Sequence, residues 1–257
     1  MPVLKPQGEH NPLCLGYFMT HGTLYLIPTP LGERELTYLL PPDVIARAAS
    51  LEIFVVEHAK TARAFLKQLP LRVPLQSLTL SVLNEHTQAN EIQALLAPLL
   101  AGKDVGLISE AGCPAVADPG AVLVKLAHQQ QIRVVPLVGP SSLLLGLMAS
   151  GLCGQRFRFH GYLPVDKTER KNALLALEKE SAARDETQIF IETPYRNRLL
   201  FTAILESCLA RTELCLAIDV SLASENIVTR TISEWKKQTP VLDKRPAVFL
   251  LHANATR

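Results

Sequence analysis

Two acids, a cysteine and a run of very small residues crowd into one stretch, Ser109 to Gly120, reading SEAGCPAVADPG. Its glycines, alanines and prolines leave few side chains between the main chain and a ligand. Asp118 and Pro119 read as a helix N-cap and first helical residue. A helix opened in that way offers unpaired N–H groups to a carboxylate. Glu110 is placed to take a proton from an acceptor hydroxyl, and its plainer role is to stabilise the loop. Asp118 either meets a ligand or only caps. Cys113 is either a nucleophile, which would need a nearby base, or a small apolar filler. A structural turn could use the same punctuation, but a plain turn rarely needs so many residues.

Other groups stand where cleft residues come from, at or just after the ends of expected strands. They are Glu57, His58, Glu85, His86 and Glu192; His86 joins Glu110 as a catalytic candidate, and its alternative is a surface histidine. Arg196, at the end of Glu192-Thr193-Pro194-Tyr195-Arg196, either holds an anionic substrate or pairs with Glu192. The seven histidines are scattered and form no H-E-x-x-H, so no metal site is expected. Neither phosphate-cradling glycine motif is present. Gly139-Pro140-Ser141-Ser142-Leu143 begins like a nucleophile elbow but lacks its closing glycine.

Alternating strand and helix signals must position these residues, and they indicate a parallel-rich sheet. The expected strands are 24–27, 53–56, 78–82, 105–108 and 134–137, then 157–162, 189–192, 214–220, 227–232 and 247–251. Expected helices cover 61–68, 91–100 with a bend at Pro98, 121–127, 141–150 between a serine cap and Gly151, and 168–180. A short buried strand, then a small-residue loop, then a helix places a ligand outside the carboxyl ends of strands. The natural summary is two α/β domains, 21–139 and 140–253, with a cleft between them. Residues 1–20 are expected to be a disordered tail, with Met19 a possible natural start.

Five stretches in order carry a family resemblance. They are Leu24–Gly32 (LYLIPTPLG), the 109–120 loop, Val134–Ser142 (VVPLVGPSS), Phe159–Pro164 (FHGYLP) and Ile189–Arg196 (IFIETPYR). Together they resemble the tetrapyrrole-methylase-like, or class III, methyltransferases, whose loop reads SDAGTPGxSDPG. The likeness spans about Thr23 to His252 and is nearest to the branch of small-subunit ribosomal RNA ribose 2′-O-methyltransferases.

The resemblance implies two α/β domains, each a mixed sheet flanked by helices, with S-adenosylmethionine (SAM) between them. It implies cofactor contacts at Pro30, Gly112, Ala115, Val116, Asp118, Ser141, Ser142, Ile191, Ala217 and Pro246. It also implies a homodimer and a ribosomal RNA or small-subunit substrate. Departures fall in loops expected to face substrate: Glu57-His58-Ala59-Lys60, Leu83-Asn84-Glu85-His86-Thr87, Glu110 in place of Asp, and Cys113 in place of Thr. Methylation of a tetrapyrrole-like small molecule, or SAM binding without turnover, therefore stay open. SAM suits the residues, since it carries a carboxylate, a sulfonium and ribose hydroxyls but no phosphate.

The bulk composition frames these expectations. At 257 residues, 48% hydrophobic and 19% charged, the chain reads as a soluble globular protein with a sizeable core. A net charge of +2 gives no nucleic-acid grip by itself. The basic cluster Lys167, Arg170 and Lys171 is diluted by Glu169, Glu178 and Glu180 and reads as a solvated helix face. No apolar run is long enough to span a bilayer, and no secretory signal is visible. Five cysteines without C-x-x-C suit a reduced, cytoplasmic protein. Trp235 is expected to pack in the second domain.

Overall fold

The structure, a computed structural model, describes residues 21–254. The expected tail and the Met19 start lie outside the described residues. The first half runs β1 (Thr23–Ile27), α1 (Leu36–Leu39), α2 (Pro42–Ala49), β2 (Ile53–Val56), α3 (Ala59–Leu66) and β3 (Thr79–Val82). It continues α4 (Ala89–Ala94), α5 (Ala97–Leu100), β4 (Val105–Ile108), α6 (Gly120–Gln129) and β5 (Arg133–Pro136), after which α7 (Ser142–Ser150) leads into the second half. The second half runs β6 (Phe157–Tyr162), α8 (Lys167–Arg184), β7 (Thr187–Ile191), α9 (Asn197–Ser207) and β8 (Glu213–Ile218). It closes with β9 (Asn226–Thr231), α10 (Ile232–Trp235) and β10 (Ala247–His252).

The first sheet has the order β3-β2-β4-β1-β5 and every pairing in it is parallel. Both faces are covered. Ile27, Phe54, Val56 and Ile108 point to one side, against α2 and α3. Leu24, Val55, Val105 and Leu107 point to the other, against residues of α4, α5 and α6. This two-sided burial explains why β4 reads as an unbroken apolar run.

The second sheet has the order β6-β7-β10-β8-β9. It is mixed: β6 and β7 run parallel, and the remaining pairs are antiparallel. Alternation of strand and helix therefore signals parallel pairing in the first half only. Phe190 and Phe249 stack on one face, over residues of α8 and α9. The other face is covered by α7, which packs on β8, β9 and β10. Gly146 makes that approach possible, because a Cβ there would stand 3.2 Å from the Ala217 Cβ. Trp235 is buried, donates from Nε1 to the Leu214 carbonyl at 2.8 Å, and meets Phe201 edge-on.

Local differences from the sequence expectation have local causes. The helix expected over 91–100 splits into α4 and α5. Pro98 has no N–H for the Ala94 carbonyl, and its ring crowds that turn, so it breaks the helix rather than bending it. Helix α2 begins at Pro42, where fixed φ and a missing N–H suit a first helical position. Helix α8 starts at Lys167 because Asp166 caps it, accepting from Thr168 N at 2.8 Å and Glu169 N at 2.9 Å, and it runs past the expected end to Arg184. Gly151 closes α7 in the left-handed region, φ 71°, as its position implied.

Candidate functional site

The loops after β1 and β4 meet at the carboxyl edge of the first sheet. Thr29 N donates to the Gly112 carbonyl at 2.9 Å, and Gly112 N returns a bond to the Thr29 carbonyl at 3.1 Å. β1 and β4 are neighbours, and the connections after them cross in opposite directions. A crevice outside the strand ends is expected at such a switch point. Gly112 takes φ 74°, and a Cβ there would lie 3.2 Å from Leu31 Cδ2.

A crevice of about 350 Å³ opens beside this bridge and faces the second sheet. Its first-half wall includes Glu57, Ser109, Glu110, Gly112, Val116 and Asp118. Ser141 and Ser142 stand at the start of α7, and Ile191, Ala217 and Pro246 come from the second half. The crevice thus gathers most of the expected cofactor residues and Glu110.

Three expected residues are placed elsewhere. Pro30 lines a second crevice of about 470 Å³, on the other side of the Thr29–Gly112 bridge. Ala115 does not line the first crevice; its N–H donates to Asp118 Oδ1 at 3.0 Å. His86 lines neither crevice. It sits on an exposed turn whose N–H groups at Asn84 and His86 are held by Thr87 Oγ1 and Asn84 Oδ1. Its imidazole stands 3.5 Å from the equally exposed Glu85 carboxylate, so it is placed as the surface histidine of the plainer alternative.

Asp118 does cap, but one residue out of step. The N-cap position of α6 is Pro119, and Asp118 Oδ1 accepts from Gly120 N at 2.7 Å. That bond occupies the helix end expected to meet a carboxylate. The start of α7 is different: Ser141 makes no side-chain capping bond, and both it and Ser142 line the crevice.

The first-half wall is acidic. Glu57 Oε2 accepts from Glu110 N at 3.3 Å, and Glu110 Oε1 accepts from Thr61 Oγ1 at 3.3 Å. Burial pushes the Glu57 carboxyl above its ordinary value; the bond from Glu110 N opposes this, and the charges of Asp118 and Glu110 add to it. Among the described residues no cation pairs with Glu57, Glu110 or Asp118. Ser109 Oγ is buried without a partner in the same wall.

Across the crevice the acids are neutralised. Glu192 holds Arg196 at 2.7 Å, which is the ion-pair alternative for that arginine. Asp219 holds Arg245 at 2.8 Å and accepts from Ser224 Oγ at 2.7 Å. Asp219 lines the crevice and carries no motif in the sequence. Its φ of 51° and its arginine partner appear only in the fold.

Cys113 also lines the crevice, with Sγ 3.5 Å from the Pro140 carbonyl. Burial pushes its thiol up, which disfavours the thiolate a nucleophile needs. A wall with unneutralised carboxylates, an unpartnered hydroxyl and an open helix start suits a ligand with a cationic centre, hydroxyls and a carboxylate. Those are the groups of SAM.

The two halves also touch outside the crevice. Arg34 Nη1 donates to the Ser221 carbonyl, and its guanidinium lies 3.4 Å from the Tyr38 ring centre. A Cβ on Gly32 would stand 2.7 Å from Leu222 Cδ1, so the loop after β1 fits closely against the loop after β8.

Comparison with known proteins gives this arrangement a family. Residues 23–236 match the family described as Tetrapyrrole (Corrin/Porphyrin) Methylases. The chain is 31% identical over 232 residues to Ribosomal RNA small subunit methyltransferase I of Vibrio cholerae, covering 89% of this chain and 76% of that protein. It is 33% identical over 213 residues to the Bacillus subtilis protein of the same name, covering 83% and 68%. Among solved structures, the uroporphyrin-III C-methyl transferase from Thermus thermophilus complexed with S-adenosyl homocysteine superposes with a TM-score of 0.56. That match is at 16% identity and covers 90% of this chain and 97% of that one. With a matching sequence profile over most of its length, relatives this similar and the same fold, the chain belongs to the tetrapyrrole methylase family of SAM-dependent methyltransferases.

Proposed function

We propose that this methyltransferase acts on a ribose 2′-hydroxyl of small-subunit ribosomal RNA. The relatives at 31% and 33% identity are named for small-subunit ribosomal RNA. The observation that carries the geometry is Glu110, which lies in the walls of both crevices. The first crevice takes SAM and the second takes the acceptor, with Glu110 between them. When bound, SAM supplies a methyl group on a sulfonium; the carbon–sulfur bond breaks as the carbon–oxygen bond forms, leaving S-adenosylhomocysteine.

The chain's own residues align and shield this exchange. Ser141 and Ser142, at the open start of α7, meet the cofactor carboxylate. Gly112 and Val116 lie along its length, and Asp118 holds their loop through Ala115 N and Gly120 N. Ile191, Ala217 and Pro246 close the other side against water. Glu110 takes the acceptor proton, and Glu57 positions it through the bond to its backbone N–H. Pro30 and Ala115 shape the loops without lining the cofactor crevice.

The units are 21–139 and 140–253. We place the protein in the cytoplasm, in keeping with an RNA substrate; the described cysteines are free, and no described helix is long and apolar enough to cross a membrane. A homodimer is supported by α7, where Leu144 and Met148, one turn apart, are 52% and 79% exposed on an otherwise apolar helix. Leu144→Glu should yield monomers in sedimentation analysis if this face pairs.

The test of function is labelled SAM added to extract from a strain lacking the gene, followed by fractionation. Label at a ribose of small-subunit RNA supports the proposal. Label in a macrocyclic small molecule, or SAM binding without transfer, overturns it.

A further inference from the structure

Helix α3 carries Lys60 and Arg63, and Lys67 follows at its C-cap with helical backbone angles. Spacings of three, four and seven residues put the three cations on one edge of the helix. All three are exposed. The helix, AKTARAFL, has no acidic residue. Among the described residues none of the three cations makes an ion pair.

The neighbouring edge of the same helix is built differently. Thr61, Ala64, Phe65 and Gln68 line the second crevice, opposite Thr29 and Pro30. Glu110 also lines it, as it lines the first crevice, and is tied to Thr61. Glu33 stands on the far wall, and Arg34 there is already committed to Ser221 and Tyr38. Arg34 keeps its charge but its guanidinium is held by those two groups, so the unengaged cations beside this crevice are those of α3.

We propose that the Lys60–Arg63–Lys67 edge carries the phosphodiester backbone of RNA and that one unstacked nucleotide enters the adjoining crevice toward Glu110. This deepens the ribosomal RNA reading and rests on it. Phosphate contacts supply register and most of the affinity, whereas a nucleotide drawn into a crevice must take its base out of the stack. A volume of about 470 Å³ lies within the range of small-ligand sites and gives a nucleoside room. The other basic cluster, Lys167, Arg170 and Lys171, lines neither crevice and shares α8 with Glu169, Glu178 and Glu180.

The test is fluorescence anisotropy with a labelled single-stranded RNA across a salt series, beside calorimetry with SAM. Lys60→Ala/Arg63→Ala/Lys67→Ala should weaken RNA binding about tenfold and flatten the log–log salt slope by about 2, at roughly 0.7 per phosphate contact. SAM affinity should be unchanged. Lys167→Ala/Arg170→Ala/Lys171→Ala should leave RNA affinity within about twofold, since it removes no contact. Should the α3 triple variant not bind SAM, Lys60→Gln and Lys67→Gln singly carry the comparison, each lowering the slope by about 0.7.

Wild-type salt dependence in the α3 variants overturns the inference. If the wild-type enzyme still labels small-subunit RNA in that case, the ribosomal RNA reading survives it. If wild type labels no RNA, that reading falls and this inference with it.

Discussion

Thr61 Oγ1 lies 3.3 Å from Glu110 Oε1, so the first turn of α3 is tied to the carboxylate that both crevices share. If Glu110 receives the acceptor proton, Glu110→Gln should lower kcat by about 100-fold or more, the usual reach of a positioned base. The Kd for SAM should stay within about threefold. Single-turnover methylation and calorimetry separate the two effects. An unchanged kcat removes Glu110 from catalysis.

The Gly112 turn should be intolerant of a side chain. At φ 74° a Cβ costs about 1–2 kcal/mol in the left-handed region, and here it would also press on Leu31. Gly112→Ala should lower Tm by about 3–6 °C for a chain of this size and weaken SAM binding. Asp118→Ala removes the acceptor shared by Ala115 N and Gly120 N and should weaken SAM about tenfold, as loss of bonds to a charged acceptor does. Lys171→Ala should change neither quantity.

Cys113 should be dispensable. Its thiol is pushed up by burial, so it should alkylate slowly with iodoacetamide at neutral pH. SAM should slow the reaction further, because Cys113 lines the crevice. Cys113→Ala should methylate within about threefold of wild type, because a filler contributes no chemistry. A Cys113→Ala protein with no activity would restore the nucleophile.

Glu57 makes stability depend on pH in a definite direction. Its carboxyl titrates above its ordinary value, first because it is buried. The folded protein therefore holds the proton more tightly than the unfolded chain. The stabilisation is full below the unfolded value and is lost as pH rises through the folded one. Glu57→Gln keeps an acceptor for Glu110 N and removes the charge. Its Tm should match wild type near pH 4 and exceed it by about 1 °C at pH 7. Calorimetric melts across that range measure the difference, and a variant less stable at pH 7 contradicts the assignment.

Much of the crevice was legible because it is built from contiguous chain. Gly112, Val116 and Asp118 belong to one loop, Ser141 and Ser142 to one helix start, and β4 announces itself as an apolar run. What escaped depends on pairing across distance. Pro30 follows β1 as the sequence shows, yet the mutual bonds of Thr29 and Gly112 leave it on the far side of the bridge. Asp219 looks like an ordinary strand end until Arg245, 26 residues on, turns back to meet it. His86 follows a strand as cleft residues do, but β3 is an edge strand, so its loop lies at the margin. Helix-and-strand alternation alone points to parallel pairing, and the mixed second sheet is what the family resemblance implied; the return from β8 to β9 is too short to interrupt the alternation.

The sole indole of the molecule, at Trp235, is sealed within the second lobe and hydrogen-bonded to Leu214. Its emission therefore witnesses the melting of one lobe, while far-ultraviolet ellipticity witnesses both. Coincident transitions would mean that the clasp of Arg34 on Ser221 makes the lobes one cooperative unit. Separated transitions would make the cleft a hinge between independently folding bodies, with cofactor as the joining element.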